Sequence, residues 1–286
     1  MASDRASHCK KYTYEALRDI GIRSGSLQTR NIFPTDLKNR TNTVIHAAAK
    51  PADFYDREWS DRWHDMKVYS PVARHTRRLI RAYLDRIEYR SILDIGCGSG
   101  ELLKELSLSP SVALAGVDFS ATAVRQASET VPGDFGVVDI EKDVPDLTAD
   151  AGVCSEVLEH LVDDEAAIRN MSRCVDHLVV TVPSGPLTQA SLDIGHVRHY
   201  TKALLAQKLE ENGFEVVTIR AWGTPFHDPL YAWIRSRSPE GATTGSYGLG
   251  KRLVSSLLYG LFHLNILDRG HKLVALARST QERSNT

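Results

Sequence analysis

The sequence predicts an α/β fold built on a doubly wound sheet, and two observations predict it. From Ser91 onward, short apolar runs alternate with segments of helical periodicity, which is typical of successive strand–helix–strand units. The first runs are nearly continuously apolar, as strands buried on both faces should be. The predicted strands are Ser91–Ile95, Val112–Asp118, Phe135–Val138, Ala151–Ser155, Leu178–Val182, Phe214–Ala221 and Lys272–Ala277.

Helical segments separate these strands and also precede them. Gly100–Leu106 and Ala121–Thr130 are the clearest helices between strands. Before the first strand, "FYDREWSDRW" spaces its aromatic residues three to five apart, and a second helix is predicted after Pro71. We therefore divide the chain into a partly ordered arm (1–53), a helical cap (54–90), the sheet domain (91–280) and a short tail (281–286).

The alternation stops between Gly223 and Gly270, which predicts an insertion (224–269) before the last strand. The segment "SPEGATTGSYGLG" is a loop by composition, and leucines then recur at helical spacing from Leu249 to Leu267. We favour a lid over the site or core packing for this apolar stripe. A dimer face, or an interfacial helix that touches lipid, is the alternative.

Composition limits the classes of function. The formal net charge of the 286-residue chain is −1, so no general attraction to nucleic acid is expected. The four cysteines form no C-x-x-C pair, which argues against a zinc site and indicates a reducing compartment. No signal peptide is recognisable, and no run reaches the ~20 apolar residues of a membrane span. We expect a cytoplasmic protein without stable membrane insertion that acts on a small molecule; a homodimer is left open.

The stretch "ILDIGCGSGELL" predicts a ligand-binding loop between a strand and a helix. It is not a P-loop, because no Gly-Lys-Ser/Thr follows. It also departs from the dinucleotide pattern G-x-G-x-x-G, since Glu101 stands where the third glycine would fall. The acidic Asp94 inside the motif would repel a pyrophosphate, so a ligand with a positive group fits better.

Two further acids narrow the choice of ligand. Asp118 closes the second predicted strand, where a carboxylate can accept bonds from both hydroxyls of a ribose. Asp139 closes the third strand, where it suits the amino group of an adenine, and Ile140 can pack on the ring. S-adenosylmethionine combines a cationic amine and sulfonium with a ribose and an adenine, and it has no phosphate.

The motifs "LDIGCGSG", "GVDFS", "VVDIE" and "CSEVLEHL", in this order, resemble those of class I S-adenosylmethionine-dependent methyltransferases. The segment "HVRHYTKALLAQKLEENGFEVV" extends the resemblance to small-molecule methyltransferases, and it covers about Tyr55 to Arg278. The resemblance implies a Rossmann-like sheet of six parallel strands and one antiparallel strand, with Lys272–Ala277 antiparallel. Carried over to this sequence, the S-adenosylmethionine site comprises Asp94, Gly96, Cys97, Gly98, Gly100, Asp118, Phe119, Asp139, Ile140, Ser155 and Glu156.

The chemistry is predicted to be methyl transfer to a small molecule, most simply at oxygen. A hydroxyl acceptor must lose a proton, and a histidine with a pKa near neutral suits that task. In "LDIGHVRHYT" we assign His196 as the base and Asp193 as its orienting partner; the alternative is that this loop only packs a helix that Thr201 begins. The substrate or lid residues are taken to be Tyr55, Trp59, His199 and Tyr200.

Three alternatives remain beside this interpretation. "SEVLEHL" could place Glu156, Glu159 and His160 around a divalent ion, as proposed for a similar run in ubiquinone-type O-methyltransferases, although we predict no metal. A non-catalytic sensor or scaffold that binds S-adenosylmethionine would carry the same cofactor motifs. A nicotinamide-dependent dehydrogenase is the third alternative, and Asp94 and Glu101 count against it.

Overall fold

A computed structural model describes residues 50–61, 63–108, 111–237 and 245–281 of the chain. Nearly all of the predicted arm (1–53) therefore lies outside the described residues, as do residues 282–286 of the predicted tail and part of the insertion.

Seven strands form one mixed sheet. They are β1 (Ser91–Ile95), β2 (Ala113–Asp118), β3 (Asp134–Val137), β4 (Ala149–Ser155), β5 (Val175–Pro183), β6 (Phe214–Trp222) and β7 (Lys272–Ser279). Their order across the sheet is β3-β2-β1-β4-β5-β7-β6. Strands β1 to β5 pair in parallel, while β7 lies antiparallel between β5 and β6. The predicted doubly wound sheet with an antiparallel last strand is confirmed.

Ten α-helices surround the sheet within the described residues. They are α1 (Ala52–Asp61), α2 (His64–Tyr69), α3 (Pro71–Leu84), α4 (Glu101–Leu106), α5 (Ala121–Thr130), α6 (Asp164–Cys174), α7 (Gln189–Asp193), α8 (Lys202–Glu211), α9 (His227–Arg237) and α10 (Leu249–Phe262). Several begin at side-chain caps. Ser120 Oγ accepts from Ala123 N at 3.1 Å, and Thr201 Oγ1 accepts from Leu204 N at 3.1 Å.

The core lies on both faces of the sheet, because alternate side chains of each strand point to opposite faces. In β1, Ile92 packs with α3, α4 and α5 on one face, and Leu93 packs with α6 and α8 on the other. Both residues are fully buried. This two-sided burial explains the continuous apolar runs, and it leaves the carboxyl ends of β1 to β5 at one edge of the sheet.

The insertion forms α9 and α10, and α10 differs from the prediction. Its stripe does not pack into the core, since Leu253 and Leu257 are 65% and 67% exposed. Nor does α10 line the cavity described below, which α9 does instead. The preferred interpretation of the stripe as core or lid is therefore wrong for Leu249, Leu253 and Leu257. None of the helices within the described ranges has the length and apolarity needed to cross a bilayer.

Candidate functional site

One cavity of about 950 Å³ lies at the carboxyl ends of the parallel strands. The loop after β1, the ends of β2 to β5 and the cap helices α1 to α3 contribute to its walls, and α7 and α9 complete it. Ligands of open α/β sheets bind at this edge, because the loops that follow the strands converge there.

The glycine loop after β1 runs against two other segments. Gly96 and Gly98 have φ values of 80° and 54°, in the left-handed region that favours glycine. A Cβ on Gly96 would stand 2.2 Å from Val157 Cγ2, and one on Gly98 would stand 2.3 Å from Trp59 Cη2. The loop therefore needs glycine both for its conformation and for the close approach of its neighbours.

Asp118 at the end of β2 ties this loop to the next helix. Its Oδ2 accepts from Gly98 N and its Oδ1 accepts from Ser120 N, each at 2.9 Å. Burial raises the pKa of the Asp118 carboxyl, while the backbone donors oppose that shift. The carboxylate is thus fixed at the cavity wall, where a ribose would meet it.

Asp94 and Lys67 line the same cavity, and their ionised forms have opposite charges. Burial, and then the nearby Asp118 carboxylate, raise the pKa of Asp94 to about 7. Burial lowers the pKa of Lys67, which projects from α2 toward the carboxylates. The loop side of the cavity is therefore acidic and poorly hydrated, and a cationic ligand group would be stabilised there.

The predicted adenine end is formed by the loop after β3. Asp139 lines the cavity and accepts from Lys142 Nζ at 2.6 Å through Oδ2. Ile140 is buried, and its backbone oxygen accepts from Asn170 Nδ2 at 2.8 Å. Phe119 also borders the cavity and remains partly exposed.

A polar cluster follows β4 and also lines the cavity. Glu156 adopts φ 57°, an unfavourable value for a residue with a side chain. Its Oε2 contacts Lys272 Nζ at 2.6 Å, and its Oε1 accepts from Thr181 Oγ1 at 3.1 Å. Ser155 Oγ lies 2.8 Å from the same Thr181 hydroxyl. Despite burial, the Lys272 ammonium lowers the pKa of Glu156 to about 2, so this carboxyl is ionised.

His196 lines the cavity, and a chain of two hydrogen bonds orients its ring. Its Nδ1 lies 3.0 Å from His199 Nε2, and His199 Nδ1 lies 3.3 Å from the carbonyl oxygen of Gly185. A carbonyl can only accept, so His199 donates from Nδ1 and its Nε2 accepts from His196 Nδ1. The network therefore assigns an unprotonated Nε2 to neutral His196. Burial lowers the pKa of His196 to about 3, which corrects the expected near-neutral value.

Asp193 does not orient His196. It ends α7 on the surface, and its Oδ1 accepts from Gln189 Nε2 at 2.9 Å. The orienting position belongs to His199, which also lines the cavity. The prediction failed because "QASLD" forms a short helix, in which the Asp193 carboxylate bonds to Gln189 one turn earlier and not to His196.

Glu159 forms a buried cluster with two histidines. It is fully buried, and neither carboxylate oxygen has a hydrogen-bond partner among the described residues. Oε1 lies 4.0 Å from His196 Nε2. Burial and the Glu156 charge raise the pKa of Glu159 well above its usual range. One donor atom each from Glu159, His160 and His196 lies within 4.8 Å of the others, so these residues could hold a metal ion. The ligand set suggested by the sequence contained Glu156 in place of His196. In the structure Glu156 forms an ion pair with Lys272 instead.

Two predicted site residues lie outside the cavity wall. Gly100 is the N-cap residue before α4, and a Cβ there would meet Ala127 and Val131 at 3.1 and 3.2 Å, which supports a packing role. Tyr200 is fully buried, and its hydroxyl donates to Asp164 Oδ2 at 2.7 Å. The substrate or lid role assigned to Tyr200 is therefore corrected to a core role.

The aromatic residues of the cap border the cavity, with Trp59 against the glycine loop. Tyr55 packs edge to face on His160 and Phe119 at centroid distances of 5.9 and 6.5 Å. Asp56 fixes this helix to the sheet domain, because its Oδ1 accepts from Ser120 Oγ and from Thr122 N. The cap helix that the aromatic spacing predicted therefore forms one wall of the cavity.

The same geometry can be compared with known proteins. A family model described as a methyltransferase domain matches residues 63–219, just over half of the chain. The chain belongs to the methyltransferase domain family. Its sheet order and antiparallel β7 agree with a class I S-adenosylmethionine-dependent methyltransferase, and S-adenosylmethionine is the cofactor of that family. The nicotinamide-dependent alternative is not supported.

Curated relatives match part of this methyltransferase. A ubiquinone biosynthesis O-methyltransferase from Chromobacterium violaceum is 30% identical over 103 residues, 32% of this chain and 44% of that protein. One from Alkalilimnicola ehrlichii is 28% identical over 149 residues, 50% of this chain and 60% of that protein. The chain thus spans less than two thirds of either relative.

Solved structures share the fold of the methyltransferase. The N-methyltransferase NodS from Bradyrhizobium japonicum, in complex with S-adenosyl-L-homocysteine, is 18% identical with a TM-score of 0.52, covering 80% of this chain and 98% of NodS. A putative methyltransferase from Haloferax volcanii, in complex with the activator Trm112, is 17% identical with a TM-score of 0.53, covering 79% and 98% of the two chains.

S-adenosylmethionine fits the donor set of this methyltransferase. Asp94 and Asp118 are carboxyls whose pKa values are raised by burial, and a cationic amine or sulfonium would favour their ionised forms. The glycine loop allows close approach of the methionine portion, while Asp139 and Ile140 border the space for an adenine.

Lys67 and Lys272 are the functional candidates that sequence reasoning missed. The position of Lys272 could have been predicted, because it is the first residue of the antiparallel strand. Such a strand begins at the edge of the sheet where the parallel strands end. The position of Lys67 depends on how α2 packs over the sheet, and nothing in the periodicity of the cap specifies that.

Proposed function

We propose that this methyltransferase transfers the methyl group of S-adenosylmethionine to an oxygen of a small, partly apolar acceptor. The observation that carries the proposal is the position of His196 at the wall of the cavity, with its Nδ1 bonded to His199 so that the proton of the neutral ring is assigned to Nδ1 and Nε2 is left to accept. An oxygen acceptor must lose its proton as the new bond forms, and a neutral imidazole can take it.

Bound S-adenosylmethionine supplies an electrophilic methyl group on a positively charged sulfur. The chain's own residues position this group and the acceptor, which gives much of the rate in a displacement with a good leaving group. The proposed positioning residues at the cofactor end are Asp94, Gly96, Cys97, Gly98, Asp118, Phe119, Asp139, Ile140, Ser155 and Glu156.

His196 is proposed to take the acceptor's proton at its Nε2, while the hydrogen bond from its Nδ1 to His199 holds its ring in place. The imidazolium that forms is stabilised by nearby carboxylate charge, because the ionised Glu156 carboxylate raises the pKa of His196. Glu159 stands 4.0 Å from Nε2 and, when ionised, adds to this effect.

The acceptor end of the cavity is partly apolar. Ile194 follows α7, and Tyr231 and Ile234 project from α9; all three border the cavity. The protonated His196 would be unfavourable beside a cationic acceptor, whereas an aromatic or alkyl hydroxyl compound suits these walls. The names of the two ubiquinone biosynthesis O-methyltransferases also support oxygen as the methylated atom.

The test measures S-adenosylhomocysteine formation by the purified protein with phenols, alcohols, carboxylic acids and amines of increasing alkyl length. The proposal expects turnover with hydroxyl acceptors and a rise in kcat/KM with apolar length. Turnover with amines alone would contradict oxygen methylation. Tight cofactor binding without turnover of any acceptor or extract would favour the sensor or scaffold alternative.

A metal-assisted reaction is the second candidate, favoured only by the cluster of Glu159, His160 and His196. In that mechanism His196 would be a metal ligand and could not also act as the base. Activity lost in EDTA and restored by a divalent cation would select the metal-assisted mechanism.

A further inference from the structure

Helix α10 is oriented against the usual pattern of a surface helix. Its inward face carries Ser255, which is 4% exposed and bonded through Oγ to the backbone oxygen of Tyr69, together with the fully buried Phe262. Its outward face carries Leu249, Leu253 and Leu257, which are 87%, 65% and 67% exposed. A surface helix of a monomer normally turns its leucines inward.

The apolar surface extends beyond these three leucines. Leu261 lies one turn further along the same stripe, and the chain after the helix stays apolar and exposed. The further exposed members are Val254, Leu261, Leu264, Ile266 and Leu267. We call these eight residues the α10 surface. Contiguous exposed apolar surface of this kind marks a contact with a partner or a membrane.

Basic residues outnumber acids beside the α10 surface, and Asp268, which directly follows Leu267, is paired with Lys202 Nζ at 2.6 Å. The described stretches 229–237 and 245–267 contain no aspartate or glutamate, whereas Arg237, Lys251 and Arg252 are basic. The acid that faces this region from α2 is Asp65, which accepts from Tyr247 N at 2.8 Å and interacts with Lys251. Trp233 on α9 is 55% exposed, and the Arg237 guanidinium lies 4.3 Å from its ring centroid.

We propose that the α10 surface docks on a lipid surface that carries anionic headgroups. Exposed leucines on one face, basic residues beside them and an exposed tryptophan are the features of a helix that lies in the interface plane of a bilayer. Because α10 has only 14 residues, it would lie on the membrane rather than cross it.

Charge disfavours two other occupants. The first 50 residues of the chain contain nine lysines and arginines against four acids, so this segment would bring more positive charge to an already basic surface. A second copy in a two-fold dimer would present the same basic surface to itself. An anionic membrane offers acyl chains to the apolar residues of the α10 surface and negative headgroups to the basic residues beside it.

Docking would bring lipid close to the wall of the cavity. Phe262 of α10 lies 6.2 Å from Tyr231, ring centroid to centroid, and Tyr231 borders the cavity from α9. An apolar acceptor dissolved in the bilayer could then reach the site without passing through water. That consequence rests on the proposed function, whereas docking itself requires no turnover.

The test is co-sedimentation of the full-length protein with phosphatidylcholine vesicles, prepared with and without phosphatidylglycerol. We expect binding to the anionic vesicles that weakens with added salt, because basic residues contribute to it. The double variant Leu253→Ser/Leu257→Ser should bind about tenfold or more weakly, since two apolar side chains no longer enter the interface. Leu108→Ser is the matched control, because Leu108 is 83% exposed on the loop after α4, away from the cavity end of the sheet.

Light scattering and thermal melting of all variants complete the experiment. Retained S-adenosylhomocysteine binding and an unchanged melting temperature would show that the double variant is folded. No binding to either vesicle, or equal binding by wild type and the double variant, would overturn the proposal. A wild-type dimer that the double variant converts to a monomer would instead assign the α10 surface to a second copy. Since each readout is binding or mass, failure here would leave the methyl-transfer proposal standing.

Discussion

Replacing His196 with alanine tests the proposed base most directly. A positioned general base contributes typically ~10²–10⁴-fold to the rate, and burial lowers the pKa of His196 to about 3. A base with so low a pKa has little driving force to take a proton. We therefore expect the low end of that range, about 10²-fold in kcat, which corresponds to roughly 2.7 kcal/mol of transition-state stabilisation.

The assay is steady-state formation of S-adenosylhomocysteine, with cofactor affinity measured by calorimetry. The Kd for S-adenosylhomocysteine should hardly change in His196→Ala, because the proposed ribose and adenine contacts are made by Asp118 and Asp139. Asp193→Ala is the matched control from the same loop. Since Asp193 bonds to Gln189 and not to His196, its kcat should remain near that of the wild type.

The pH dependence gives a second, independent readout. His196 should remain neutral from about pH 5 to 8, so the wild-type kcat should show no histidine-dependent decline in that range. Near wild-type kcat in His196→Ala would refute the role of base. A kinetic pKa near 6.5 that disappears in the variant would refute the buried, neutral geometry.

Three further predictions concern the cofactor end and the metal question. Asp118→Ala should weaken S-adenosylmethionine binding by ~1.5–3 kcal/mol by calorimetry, the scale of hydrogen bonds to a charged group; unchanged affinity would contradict the ribose assignment. Because the pKa of Asp94 is about 7 without ligand and a cation favours its ionised form, binding at pH 7 should release protons and tighten as pH rises; binding enthalpies that are independent of the buffer would refute this. EDTA should leave turnover unchanged, because the positive charges of Lys67 and Lys272 already compensate the negative charge of Glu156 and Glu159 and no metal ion is needed there. Loss of turnover that magnesium or zinc restores would reverse this expectation.

The sheet was predictable because its strands are local apolar runs with polar ends. The errors fall at those ends. Strand β4 begins at Ala149 rather than at the predicted Ala151, so Asp150 lies inside the strand. In the structure Asp150 Oδ2 accepts from Arg90 N and Ser91 N at 2.7 and 3.0 Å, which fixes the start of β1. A polar residue that serves a neighbouring strand cannot be recognised from its own strand's pattern.

The proposed cofactor-binding acids were also easier to predict from the sequence than the proposed catalytic histidines. Asp94 and Asp118 were predictable because each belongs to a strand that ends at the common edge of the sheet. The contact between His196 and His199 depends instead on how the loop after α7 folds over Gly185. Sequence proximity favoured Asp193 as the partner, but a hydrogen bond requires direction as well as proximity.

The low pKa of His196 also constrains the acceptor. Among the described residues, the partner of His196 Nδ1 is not a carboxylate but His199, whose own partner is the Gly185 carbonyl. Such a base is weak, so an alcohol with a very high pKa would be a poor acceptor, whereas a phenol is far more acidic. We therefore expect phenols to exceed aliphatic alcohols in kcat, and raised pH to restore part of the activity of His196→Ala, because solvent can ionise a phenol. Equal kcat for both acceptor classes, or no recovery at pH 9 to 10 while the variant remains folded, would contradict this assignment.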